Sequence, residues 1–206
     1  MVPEKLGIFR KLLAKIGKRA FWATSKKMNL WMLSSMAYCV TKKYEEIFEG
    51  DTGKAVDTFT EQFVHGSSSI MYELLGTMKI FFSKSLDDTE FLAETALYVI
   101  LGSKWKKFFG QPRFYKADET KEGVPQLVLQ FSRCVLCTGL HHGEIDPKKL
   151  RKNSYGELLA RALVSLMQLI QDYVGNEYTL EVKETKCQLR GDLHGEGITY
   201  YYPKRK

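Results

Sequence analysis

The sequence predicts an α+β fold: an antiparallel β-sheet with helices packed on one face. Three observations predict it. Apolar residues recur at helical spacing through residues 6–108, whereas period-2 alternation appears only later, in short runs. Those runs are paired through polar turns, which implies hairpins and antiparallel strands rather than βαβ crossovers. Between the two pairs lies residues 155–192, where a long apolar-striped helix gives way, after one glycine, to an alternating strand.

The elements follow in order. Pro3 suits the first turn of a helix. Leu6, Phe9, Leu12, Leu13, Ile16, Ala20 and Phe21 then recur at helical spacing with lysines between them. Ser25 caps a second helix over 26–49, with Leu30, Leu33, Ala37, Val40, Tyr44 and Phe48 along one side. Gly50-Asp51-Thr52-Gly53 is a turn, and not a phosphate loop, because no glycine-lysine-serine/threonine follows. A third helix covers 55–75. Its centre, Gly66-Ser67-Ser68-Ser69, lacks bulk, which suits a close helix crossing. Residues 78–82 fit either a strand or more helix. Asp87, Asp88 and Thr89 start a helix that runs through Phe91, Leu92, Leu97, Ile100 and Leu101 to Phe108, with acids at its positive end.

Residues 113–117 and 126–134 read as strands around a turn containing Glu122-Gly123. In the second strand Leu127, Leu129 and Phe131 oppose Gln126, Gln130 and Ser132. After a polar loop, Asn153 or Ser154 caps the long helix, and Gly175 stops it. Tyr178, Leu180 and Val182 alternate with Thr179, Glu181 and Lys183. Cys187 and Leu189 have the opposite parity, so a bulge is expected near Glu184-Thr185-Lys186. The last strand covers 197–202, with Ile198, Tyr200 and Tyr202 on one face.

Composition narrows the function. A hydrophobic content of 44% argues for a folded chain. No apolar run reaches the length of a membrane span, no signal-peptide pattern opens the chain, and four cysteines do not make a secreted disulfide framework. A reducing, cytoplasmic setting is the expectation, peripheral to a membrane if the leader binds one. Residues 1–27 hold eight Lys/Arg against one acid, which equals the net charge of +7 for the whole chain. The protein is therefore a near-neutral domain over 25–206 behind a basic amphipathic leader over 1–24. Two readings stand for that leader. Either Phe9, Leu12, Ile16 and Phe21 enter an anionic membrane surface that also attracts Lys11, Lys15 and Lys18, or the helix packs on its own domain with a solvated basic face. Nucleic-acid binding has thin support without a basic, aromatic sheet face.

One cluster looks chemical. Cys134, Cys137, Cys187 and one of His141, His142 or His194 supply the ligand types that zinc takes in a tetrahedron. The alternative is buried thiols used as small apolar side chains, since strand alternation turns Cys134 and Cys137 to opposite faces. No nucleophile elbow, His-Glu-x-x-His or dinucleotide fingerprint is present, so the chain reads as a non-enzyme.

The element order, with Ser25-Lys26-Lys27-Met28, Glu94-Thr95-Ala96, Glu184-Thr185-Lys186-Cys187 and Arg190-Gly191-Asp192, resembles the superfamily that joins the Bet-three-like small subunits of TRAPP, the vesicle-tethering particle, with 4-vinyl reductase (4VR) domains. The resemblance covers residues 25–202. It implies a homodimeric tethering subunit with related subunits as partners. The 4VR side implies instead a sensor of a small apolar ligand, held near Gly66 and Ser67 by Met71, Met78, Phe81 and Phe82. Thr89 stands where TRAPP relatives of this type carry an acyl-accepting cysteine, so acylation there is not implied. Leu193-His194-Gly195-Glu196 stands where 4VR domains often carry a second cysteine.

Overall fold

The computed structural model describes residues 2–24, 30–78, 82–137 and 145–204, apart from the side chains of 21, 24, 30, 31, 67–78 and 100. Four strands form one antiparallel sheet. β1 (Arg113–Tyr115) pairs with β2 (Gln126–Phe131), β2 with β4 (Gly195–Pro203), and β4 with β3 (Tyr178–Lys186). Gln126 lies opposite Tyr200 and Phe131 opposite Gly195. Along β3 and β4, Thr179 faces Tyr202, and the register shifts between Glu184 and Lys186, where parity placed a bulge.

Helices cover one face of this sheet. Leu127, Leu129, Phe131, Leu180 and Tyr201 pack with Leu163, Val164 and Met167 of α5 (Tyr155–Val174) and with Ala93 and Leu97 of α4 (Thr89–Leu101). The outer face carries Ile198, Tyr200 and Tyr202, with Tyr200 stacked on Tyr202 at 6.0 Å and Lys183 Nζ 5.8 Å from the Tyr200 ring centre. The inner side of β4 is Gly195, Gly197, Thr199 and Tyr201, small residues apart from the last. Their smallness is functional: the Phe131 ring fills the space a side chain on Gly195 would need.

α5 starts where Ser154 Oγ accepts the N–H groups of Gly156 (3.0 Å) and Glu157 (3.2 Å), and ends at Gly175 with φ 78°. Ser154 is thus the cap. Asn153 instead donates through its backbone and Nδ2 to Asp57 Oδ1, at 2.9 and 2.8 Å. α2 (Leu30–Ile47) and α3 (Thr52–Met78) form a hairpin that packs on α5. The close crossing expected in the middle of α3 is not found at Gly66, which is exposed with open space around it. The side chains of Ser67, Ser68 and Ser69 lie outside the described residues; at Gly53 the Lys149 carbonyl and the Arg151 side chain sit against the backbone.

The single helix expected over 87–108 is three pieces: a 3-10 turn over Leu86–Asp88, α4, and a second 3-10 turn over Gly102–Lys107. Gly102 breaks it with φ 70°, and the Trp22 ring packs where a side chain would stand. Trp22 belongs to α1 (Ile8–Thr24), which lies along α4. Among the described residues no helix is long and apolar enough to cross a membrane.

Candidate functional site

Residues 3–24 attach to the domain through polar groups. The carbonyls of Pro3 and Glu4 accept the N–H groups of Lys84 (3.0 Å) and Ser85 (2.7 Å). The Asp88 carboxylate is 0% exposed. Its Oδ2 accepts Leu6 N–H at 2.7 Å and Ser83 Oγ–H at 2.8 Å, and its Oδ1 pairs with Lys11 Nζ at 2.5 Å. Burial pushes the Asp88 pKa up, but these partners outweigh it and hold the carboxyl below the ordinary value. Leu6 is buried beside Phe82, Leu92, Ile170 and Val174. Further along α1, Ala14 is buried, Lys11 Nζ lies 5.7 Å from the Phe91 ring centre, and Lys18 Nζ lies 5.0 Å from that of Tyr98.

This attachment differs from the packed-helix reading of the leader, and from the membrane reading in the placement of Lys11 and Lys18. The helix packs on its domain, but with Lys11 and Lys18 turned inward. Its apolar residues face out: Ile8 is 90% exposed, Phe9 70% and Ile16 59%, with Leu12 and Leu13 beside them. The placement follows from Asp88, since a buried carboxylate needs its cation more than a hydrophobic stripe needs cover. The Phe21 side chain lies outside the described residues. α2 carries a second outward stripe, Met32, Met36, Val40 and Ile47, next to the side where Leu33, Ala37 and Tyr38 meet Leu136, Tyr155 and Leu158.

The three cysteines lie within electrostatic reach of one another. Cys134 and Cys187 are buried and Cys137 is half-buried. A 3-10 turn over Val135–Cys137 follows β2, so strand alternation does not govern Cys137. The hydrogen bond that the Cys137 thiol donates to Cys134, then burial, pushes Cys137 far up, and burial followed by the nearby Glu184 raises Cys187. Thiols held protonated are poor nucleophiles. His194 stands apart, 3.3 Å from Lys186 Nζ and 4.0 Å from Glu196 Oε2. His141 and His142 lie outside the described residues. Among the described residues no group of three or more His, Cys, Asp or Glu is arranged to hold a metal ion.

At the start of α5 two carboxylates meet. Glu184 Oε2 accepts Ser154 Oγ–H at 2.6 Å, and Glu157 Oε2 accepts Glu184 N–H at 2.9 Å. Burial raises the pKa of both above the usual 4.5. Such a group binds its proton more tightly when folded. Its stabilisation is complete below 4.5 and is lost as pH rises through the raised value. Glu184→Gln keeps an acceptor for Ser154. It should therefore flatten the fall in urea midpoint between pH 4.5 and 7, and an unchanged slope would show that Glu184 does not set it.

Of the residues expected to line a ligand pocket, Gly66 and Phe82 fall within the described residues. Gly66 is exposed, while Phe82 is buried with its ring edge-on to Tyr173 at 6.0 Å. Phe81 and the side chains of Ser67, Met71 and Met78 lie outside the described residues. Other spaces are present among the described residues. A small cavity of about 10 Å³, lined by Phe109, Leu129, Phe131, Leu163 and Val182, has room for about one water. An open groove of about 350 Å³ runs between α3, α5 and β3, lined by Val64, Val164, Leu180 and Val182 with Lys152, Arg161, Ser165 and the carboxylates of Glu157 and Glu181. Thr89 is buried at the start of α4, next to the fully buried Tyr201, whose hydroxyl pKa is raised by that burial.

No protein-family model matches the chain, and no curated protein matches it in sequence. Among solved structures it resembles trafficking protein particle complex subunit 3 from Naegleria fowleri, covalently bound to palmitic acid. Identity is 16% and the TM-score 0.59, over 86% of this chain and 98% of that one. At that identity the likeness establishes the fold, an α+β fold of the TRAPP small-subunit kind. It supports the TRAPP side of the sequence resemblance and adds nothing to the 4VR side.

The sequence showed Asp88 only as an acid at a helix start. The available signal was redundancy: Ser85 Oγ already accepts the Asp87 N–H, which leaves Asp88 for another partner. For α2 the signal was a helix apolar beyond one stripe.

Proposed function

We propose that this chain is a non-enzymatic assembly subunit of the TRAPP type, working as a homodimer and joining related subunits at the cytoplasmic face of a membrane. The observation that carries this is the outward stripe of α2, on a fold shared with a trafficking-complex subunit. Met32, Met36 and Val40 recur every four residues along one line of that helix. The charges of the helix are paired within it, Lys42 with Glu45 and Lys43 with Glu46 at 2.6 Å each. Two copies can bring such faces together without like-charge repulsion. Sedimentation at tens of micromolar protein should show a dimer. Met36→Glu, at a residue 51% exposed, should split it and leave the melting temperature in place. A wild-type monomer under those conditions would sink the proposal.

A second reading, a sensor of an apolar ligand in the manner of 4VR domains, draws on the palmitic acid bound by the solved neighbour. The cavity beside Phe109 and Phe131 is too small for an acyl chain. The open groove offers apolar walls for a chain, and Lys152 and Arg161, beside Glu157 and Glu181, for a polar head. Native mass spectrometry separates the readings: a retained lipid supports the sensor, and an empty dimer supports the assembly subunit.

A further inference from the structure

We propose that α1 lies in the plane of an anionic membrane, with Ile8, Phe9, Leu12 and Ile16 entering the headgroup–acyl boundary while the opposite side stays fixed to α4.

The exposed residues of α1 form one continuous arc. At 100° per residue, Lys15, Ile8, Arg19, Leu12, Ala23, Ile16, Phe9, Ala20 and Leu13 follow one another around the helix, and all are exposed. Lys11, Ala14 and Lys18 occupy the docked side. A helix that turns large aliphatic and aromatic side chains to solvent while burying lysines is inverted relative to a helix that serves only its own domain. The helix has 17 residues and is therefore about 25 Å long. Its arc mixes apolar and charged groups along that whole length, which suits lying on a bilayer and not crossing it.

Charge selects the occupant. α1 contains no acidic residue. Lys15 and Arg19 border the apolar arc and make no ion pair among the described residues. The 3-10 turn packed on Trp22 adds the exposed Lys104, Lys106 and Lys107. These cations crowd: burial first, and then Lys15, Arg19 and Lys106, lower the Lys18 pKa against the pull of Glu94. A second copy of the same face would bring this uncompensated positive rim against itself. An anionic lipid surface neutralises it, over a range of about 8 Å at physiological salt. The contrast with α2 is direct, since the charges there are already paired. The two outward stripes therefore take different occupants, and the membrane proposal stands whether or not the dimer does.

Pre-folding strengthens the case. An isolated amphipathic segment must become helical when it meets lipid, whereas α1 is already held by Asp88, Ser83 and the Lys84–Ser85 backbone. The Lys11 ammonium belongs to that attachment and not to the lipid-facing rim.

The test uses the full chain and vesicles of phosphatidylcholine, with and without phosphatidylserine. Wild type should co-sediment with the anionic vesicles at low salt and be released as salt rises. Leu12→Glu/Ile16→Glu should weaken binding by about tenfold or more. Lys15→Glu/Arg19→Glu should weaken it by roughly tenfold. Both pairs are exposed, so melting temperature and sedimentation coefficient should not change. Failure of wild type to bind anionic vesicles at low salt overturns the proposal, as does equal binding to neutral vesicles or by the Leu12→Glu/Ile16→Glu variant. Dissociation of a dimer by that variant, with no vesicle binding by wild type, assigns the face to a second copy instead. Loss of binding together with a fall in melting temperature for both pairs would mean a structural role and also overturns it.

Discussion

Asp88→Ala should lower the unfolding free energy by about 3 kcal/mol and release α1 from the domain. The estimate rests mainly on the buried hydrogen bonds, because Lys11 is 34% exposed and its share of the ion pair is screened. Leu6 N–H and Ser83 Oγ would be left without an acceptor in a buried place, at about 1–3 kcal/mol for each unsatisfied group. Urea unfolding measures the loss, and limited proteolysis within residues 8–24 reports the release. The same carboxylate predicts an acid response. Its folded pKa is depressed, so its stabilisation is present above the ordinary value of 3.8 and is lost as pH falls through the folded value. Protease sensitivity of α1 should rise as the wild type is taken below pH 3.8 and change little with pH in Asp88→Asn. An Asp88→Ala protein with wild-type stability and a protected α1 would refute the assignment.

The second large effect is expected at Tyr155. This residue is 1% exposed at the first position of α5, and its hydroxyl donates to Thr41 Oγ1 at 2.8 Å, which in turn donates to the Ala37 carbonyl at 2.8 Å. Its ring fills the space between α2 and α5 with Ala37, Leu136, Ile145 and Leu158. Tyr155→Ala empties that space and should cost about 3–5 kcal/mol. Tyr155→Phe keeps the ring and loses one buried hydrogen bond, for about 1 kcal/mol. A ratio near one between the two would show that the hydroxyl, and not the ring, holds the helices together. Because Tyr155 fixes α2, the alanine variant should also impair the proposed dimer, which Met36→Glu should do without loss of stability.

What could be read from the sequence was local. The alternation of Leu127, Leu129 and Phe131, the Ser154 cap, the Gly175 stop and the bulge at Glu184–Lys186 each depend on neighbours within a few residues. What could not be read depends on residues distant along the chain. Helical spacing identified the apolar stripe of α1, but spacing says nothing about which side docks; Asp88 decides that. β4 hid its inner side because Gly195, Gly197 and Thr199 do not look like core, although their small size admits Phe131 and Ala160. The Cys134–Cys137 pair was judged by strand parity, which ceases where β2 ends at Phe131 and a 3-10 turn begins.

The strand order has a kinetic consequence. α5, β3 and β4 are consecutive, and their contacts close short loops, so this unit can form early and on its own. β2 cannot finish with its hairpin partner β1 alone. Its other ladder joins Gln126 to Tyr200, across the whole of α5 and β3. On the ribosome β2 emerges well before β4, and so do α1 and α2 with their outward apolar stripes. Until β4 arrives, Leu127, Leu129 and Phe131 have no sheet neighbour on that side. Stalled synthesis between Val174 and Gly195 should leave a nascent chain that chaperones hold, and release from them should coincide with completion of β4.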